Sequence, residues 1–360
     1  MIDLNDPSAF PTVDPSDFLG VIERFPQQMA EAFEIARSVE NLPSIDGINS
    51  VAILGMGGSG ISGDVLQAIL RPRSPVFVDT IKGYELPAWV GPSTLLFAAS
   101  YSGNTEETLQ TFELAQTQGV TRSIVISTGG TLSDRARQLD VPVVQIPSGL
   151  QPRAALGYLA IPLLILWERL VGVQGDRSPG IAHAVDAAIR LAEKRSQEYG
   201  RDVAADQNPA KRLASRLVGK VPIVYGTEGL AEVAAYRWKC QFNECAKVPS
   251  YSHNFPELNH NEIVGWKQLR ALTKESIALL VLRHAHEHPR IEKRIDVTLP
   301  LVEDHVAFVE QFHSEGATDI ERLFDLAYFG DFVATYLAIA QGVDPTPVDV
   351  IEDLKKQIST

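Results

Sequence analysis

Short apolar runs alternate with helix-patterned segments along the first half of the chain. The runs are "SVAILG", "VFVD", "LLFAAS", "SIVIS" and "VPVVQIP". Continuous Val, Ile and Leu between helical segments is the pattern of parallel strands buried on both faces. A doubly wound sheet is therefore expected from about Asn49 to Pro147. A helical segment, "DFLGVIERFPQQMAEAFEIARSV", precedes it, and a long helical stretch from Ala154 to about Tyr199 follows, interrupted near "GDRSPG". A second alternating region opens near Asn208 and offers "VPIVYG", "ESIALLVLRH" and "RIDVTLP" as strands. Its start, "VPIVYGTEGLAEVAAYRWK", parallels "VAILGMGGSGISGDVLQAI": strand, Gly-rich turn, helix. The expected fold is α/β, with two doubly wound parallel sheets of one kind in tandem. Residues 1–153 form the first domain with a helical extension, 154–205 a helical connector, and 206–360 a second domain that ends in a helix.

Composition narrows the class. With 360 residues, 45% hydrophobic and 21% charged, the chain has room for two globular domains. A formal net charge of -13 without a long basic run argues against nucleic acid, while local geometry can still capture a small anion. Cys240 and Cys245 are the two cysteines, both in an expected helix, so no disulfide framework is expected and a reducing cytoplasm fits. The acidic, Pro-rich N-terminus lacks the regions of a secretory signal. The longest apolar run, Ala154 to Trp167, is shorter than a membrane span and contains Pro162, so a buried helix is expected. No membrane or nucleic-acid partner is implied.

Two glycine-rich turns carry the candidate chemistry. In "VAILGMGGSGISGD", Gly55, Gly57 and Gly60 match the dinucleotide fingerprint, with Asp79 following a second apolar run. Gly57 and Gly58 permit close backbone approach at a helix N-terminus, and Ser59 adds a hydroxyl. The loop alone does not distinguish NAD from another phosphate. The second turn, "AASYSGNTEET", supplies Ser100, Ser102 and Thr105 around Gly103 at another helix N-terminus. Capping requires one such residue, and the surplus favours a phosphate monoester. A dinucleotide enzyme has no such requirement at this strand, so Asp79 reads as a polar stop at the end of its strand.

"GMGGSGISG" together with "SYSGNTEET" resembles the sugar isomerase (SIS) domain, whose members bind sugar phosphates through a Ser/Thr-rich loop of this form. Two such units in one chain resemble, more narrowly, the bifunctional phosphoglucose/phosphomannose isomerase family. The resemblance implies two tandem SIS-type α-β-α sandwiches, a phosphate held by Gly57, Gly58, Ser59, Ser100, Ser102 and Thr105, and no cofactor. It extends to "LQPRAALGYL", where Arg153 matches an arginine near the reacting carbons. A guanidinium there stabilises an enediolate. In "YRWKCQFNECAKVPSYSHNFPELNHNEIVGW" it implies Glu244, late on a helix amid Trp238, Phe242 and Ala246, as the general base, with His260 as the family histidine. Near the C-terminus Lys355 is the best match to the family lysine. Lys356 is adjacent, and on a helix the two point about 100° apart, so one of them faces a given site.

The family resemblance also implies a homodimer with a site shared between subunits, and a metal-free isomerisation of glucose and mannose 6-phosphates to fructose 6-phosphate. Other readings are a non-catalytic sugar-phosphate-binding regulator, an amino-sugar phosphate isomerase and an NAD-dependent oxidoreductase. "RHAHEHPR" places His284 and His288 four residues apart, as helical metal ligands are. A strand leads into this stretch and Pro289 ends it, so a solvated turn is expected and no metal site is assigned.

Overall fold

The computed structural model describes residues 2–172 and 180–358. Apart from Gly180, the helical break expected near "GDRSPG" lies outside the described residues. The chain divides into two compact units, one built mainly from Arg24–Glu193 and the other from Lys194–Glu315 with the residues up to Glu23 and from Phe324 onward.

The first unit holds β1 (Ser50–Leu54), β2 (Phe77–Ile81), β3 (Thr94–Ala99), β4 (Arg122–Ser127) and β5 (Val143–Gln145). They form one sheet in the order β2-β1-β3-β4-β5, with every neighbouring pair parallel. All residues of β1 and β3 are buried, which is why these strands read as uninterrupted apolar runs. Leu54, Leu96, Ala98 and Val125 pack with Phe112 and Leu132 from the helices Glu106–Thr117 and Gly130–Gln138. The run around Ala154–Trp167 is a helix, Leu156–Val171, buried from Leu156 through Trp167. From β1 the chain goes outward to β2 and then returns to β3 on the other side. Loops leaving β1 and β3 diverge at that switch point and open a crevice at the strand ends.

The second unit holds β6 (Val221–Thr227), β7 (Tyr251–Phe255), β8 (Ile277–Arg283) and β9 (Phe308–His313), parallel throughout, in the order β7-β6-β8-β9. The strand expected at "RIDVTLP" is instead part of the helix Pro289–Val302. Ile295, Thr298, Leu299 and Val302 are buried there at three- and four-residue spacing, a helical stripe rather than a strand's alternation. The helix Asp319–Gln341 is long and apolar enough to cross a membrane, but its apolar window is wholly buried in protein. Its Asp331 receives Arg237 through two hydrogen bonds of 2.9 and 2.7 Å and Gln241 through one of 2.7 Å. The helix also anchors the N-terminal segment of the same unit, because Tyr328 donates to the carbonyl of Ile22 at 2.9 Å.

Candidate active site

Three segments converge at the C-terminal ends of β1 and β3. The first enters the helix Gly57–Leu70, which has no side-chain cap. Among the described residues no acceptor takes the N–H of Gly57 or Gly58, so both point from the positive end of the helix dipole. Gly58 is required by a close approach. A Cβ at this position would stand 2.6 Å from the Pro152 carbonyl oxygen and 3.3 Å from Arg153 Cα. The turn carrying Arg153 is thereby held against the glycine loop. Arg153 lies in the short 3₁₀ helix Pro152–Ala154 and is 4% exposed, an interior arginine.

The second segment is Ser100–Thr105. Gly103 has φ +69°, and a Cβ there would lie 1.7 Å from the Gly129 carbonyl oxygen, so the loop folds this tightly only with glycine. Backbone N–H groups then orient the hydroxyl oxygens. Tyr101 N–H donates to Ser59 Oγ at 3.2 Å, Gly103 N–H to Ser100 Oγ at 3.1 Å, and Asn104 N–H to Ser102 Oγ at 3.2 Å. Thr105 is the N-cap of the helix Glu106–Thr117 but makes no side-chain cap, and its Oγ1 lies 2.9 Å from Ser100 Oγ. A hydroxyl whose oxygen already accepts still has its proton to donate. Ser59, Ser102 and one member of the Ser100–Thr105 pair are thus left as donors around two helix N-termini, the chemistry an anion requires.

The structure therefore brings Gly57, Gly58, Ser59, Ser100, Ser102, Thr105 and Arg153 together in the first unit. Glu244, His260 and Lys355 belong to the second unit, on three separate elements. Glu244 is the half-buried last residue of the helix Leu230–Glu244, beyond Phe242 and Trp238, which are buried. His260 is exposed at the end of the 3₁₀ helix Glu257–His260. Lys355 is exposed on the helix Asp349–Ile358, and its neighbour Lys356 reaches Asp353 at 3.4 Å.

Two expectations need correction. Asp79 is not a stop at the end of its strand but the third residue of β2, which continues to Ile81. It accepts from Gln67 at 3.3 Å, two residues short of the strand end where a ribose-binding acid would stand. Pro289 does not end the "RHAHEHPR" turn so much as open the helix Pro289–Val302, with His288 as its cap through a 3.1 Å bond from Arg290 N–H. Nor is the turn solvated throughout. Glu287 is buried, and burial raises its pKa against the pull of Arg283, 2.8 Å away.

Residues 206–358 match the bacterial phospho-glucose isomerase C-terminal SIS domain. The chain is 38% identical over 338 residues to the bifunctional phosphoglucose/phosphomannose isomerase of Caldicellulosiruptor bescii, covering 94% of this chain and 98% of that protein. Identity to the protein of the same name from Aquifex aeolicus is 34% over 311 residues, 86% of this chain and 90% of the relative. The chain belongs to the bifunctional phosphoglucose/phosphomannose isomerase family. At the level of fold, a glucose-6-phosphate isomerase like protein from Thermus thermophilus superposes with a TM-score of 0.61 over 99% of both chains, at 20% identity.

Within this family member, several residues that the motifs did not single out hold the cradle in place. Tyr101 donates from its hydroxyl to the Pro147 carbonyl at 3.0 Å and accepts from Leu150 N–H at 2.9 Å, fixing the approach to Arg153. Its burial raises the phenol pKa, so it remains a neutral donor. Gln28, on the helix Phe25–Ser38, donates to the Ala154 carbonyl at 2.9 Å. Asn104 accepts from Thr131 N–H at 3.0 Å and so joins the cradle to the next helix. Lys82 pairs with Asp64 beside Gly60, and burial raises the Asp64 pKa against that pairing. Tyr101 and Asn104 lie inside "SYSGNTEET", but Gln28 reaches the site across 126 residues of sequence and leaves no local trace.

Proposed function

We propose that this protein is an aldose–ketose isomerase that interconverts glucose 6-phosphate and mannose 6-phosphate with fructose 6-phosphate. One observation carries the reading: a built anion cradle at the β1/β3 switch point with a buried arginine against it. It stands in a chain 38% identical to a bifunctional isomerase over 98% of that relative's length. A phosphate held by Gly57, Gly58, Ser59, Ser100, Ser102 and Thr105 fixes the distance from the anion to C1 and C2, so remote binding energy orients the reacting carbons.

The chemistry assigns each residue one task. His260 and Lys355 transfer protons as the cyclic sugar opens. Glu244 removes the proton from C2 of the open aldose and returns it to C1, with the electrons passing through a cis-enediol. Arg153 offsets the charge that develops on the enediolate oxygens. Mannose 6-phosphate, the C2 epimer, reaches the same enediol after rotation about C2–C3. No step calls on a redox cofactor or a metal ion.

A cytoplasmic homodimer with a shared site, serving glycolysis and gluconeogenesis, completes the reading. The segment after His260 supports association, since it exposes Val264, Leu269 and Leu272 to solvent. Sedimentation of the pure protein at micromolar concentration tests that part. The activity is tested by coupled assays of both aldose phosphates in the presence of a chelator. Saturable conversion of each is expected. Binding without conversion of either would make the protein a sugar-phosphate-binding regulator instead.

A further inference from the structure

We infer that Glu262 is a positioning residue for His260, clamping the loop that carries the histidine to β6, an inner strand of the second sheet. This rests on the reading of His260 as the ring-opening acid–base group. His260 closes the 3₁₀ helix that begins at Glu257, and a second 3₁₀ helix, Glu262–Lys267, starts two residues later. Short 3₁₀ turns have poor intrinsic hydrogen bonding, so their placement depends on side-chain anchors.

Those anchors are numerous and converge on Glu262. One carboxylate oxygen accepts from the hydroxyl of Tyr225 on β6, and the other lies 2.7 Å from His253 Nδ1 on β7. Tyr225 is fully buried in a core with Phe255, Leu258 and Trp266, its ring edge-on to Phe255 at 5.9 Å. Trp266 Nε1 donates to the same tyrosine hydroxyl at 3.3 Å. A buried tyrosine requires a partner for its polar tip, and here that partner is the residue two positions after His260. Glu262 thus ties β6, β7 and the second 3₁₀ helix at one point.

The residues on either side of His260 are held as well. Asn259 donates to Thr298 Oγ1 at 2.8 Å and accepts from Arg294 at 3.4 Å, both on the helix Pro289–Val302. Asn261 accepts from Glu262 N–H at 2.6 Å and donates to Glu257 at 2.9 Å. The His260 side chain makes no hydrogen bond among the described residues, and the residue is exposed on this frame. Fixing both flanks while leaving the ring without a partner among the described residues is the arrangement a proton-transfer group requires.

The test compares Glu262→Ala, Glu262→Gln, Tyr225→Phe and His260→Ala in the full chain. Glu262→Ala is expected to lower kcat about 100-fold, the scale of a misplacement by one ångström. The anomerisation of glucose 6-phosphate, followed by exchange NMR, should fall with it. Here kcat is taken per binding-competent molecule, counted by titration with glucitol 6-phosphate, which has no ring to open. KM and the inhibition constant of that analogue should stay unchanged, a split that places the loss in the proton-transfer step. Glu262→Gln should recover most of kcat, because its amide oxygen still accepts from Tyr225. Tyr225→Phe should lower kcat in the same direction and decides the matter if Glu262→Ala does not fold. Unchanged kcat in folded Glu262→Ala or in Tyr225→Phe, beside a disabled His260→Ala, overturns this inference alone. Full activity in His260→Ala overturns the underlying reading of His260 and this inference with it.

Discussion

Ser100 shows how the cradle can be probed one atom at a time. Its Oγ accepts from Gly103 N–H and lies against Thr105 Oγ1, so Ser100→Ala removes a donor and loosens the loop together. A hydrogen bond to a charged group is worth about 1.5–3 kcal/mol, which predicts a roughly ten- to hundredfold rise in KM for fructose 6-phosphate. Steady-state kinetics check it. Gly58→Ala acts differently, by driving a Cβ into the Pro152 carbonyl 2.6 Å away. The obstacle is backbone and cannot rotate aside, so the turn bearing Arg153 must shift. Both kcat and KM are expected to worsen, whereas Ser100→Ala should act mainly on KM. At this scale the sequence was most informative. Every hydroxyl of the cradle stood in two short motifs, because helix N-termini and glycine turns are local chemistry. Gln28 and the Glu262–Tyr225 bond were hidden, because each joins residues far apart in the chain.

Elements follow the same division. The central strands β1, β3, β4 and β8 were legible as apolar runs because both their faces are buried. The strands β7 and β9 lie at the edges of the second sheet, and only Phe255 of the two is fully buried. "YSHNF" and "FVEQFH" therefore show no apolar run, while the helical stripe in "RIDVTLP" mimicked one. The helix Asp319–Gln341 also contains a hidden liability, the buried Asp331–Arg237 pair. Replacing Asp331 with Ala leaves a guanidinium in the interior without its carboxylate. A loss of about 3–5 kcal/mol in unfolding free energy is predicted, measured by urea denaturation. Charge reversal at Arg37, exposed beside Glu34, should change stability little by comparison.

For the whole molecule, the second unit is discontinuous in sequence, and no periodic pattern announces that. Residues up to Glu23 cluster with it, burying Phe10, Phe18, Leu19 and Ile22. Glu23 also bonds Arg201 at 2.9 Å, and the Glu23 carbonyl accepts from Ser196 at 2.8 Å. Each large apolar side chain contributes about 1.5–3 kcal/mol, so deleting this segment removes as much as a domain's usual net stability. A chain starting at Arg24 is predicted to lose the cooperative unfolding transition of the second unit, read by circular dichroism and urea titration. Tandem duplication, by contrast, was legible, because a strand, a Gly-rich turn and a helix repeat as a unit. The proposed activity rests on the transfer of one proton. The most direct test is isomerisation of glucose 6-phosphate in D2O, with wild type and Glu244→Gln compared by NMR. The account predicts that any solvent deuterium in the C–H bonds of the fructose 6-phosphate formed by wild type lies at C1, entering by exchange of the proton that Glu244 holds. For Glu244→Gln it predicts a folded protein whose rate is lower by about 10²–10⁴-fold. Solvent deuterium at a carbon other than C1, or a Glu244→Gln rate near that of wild type, would contradict it.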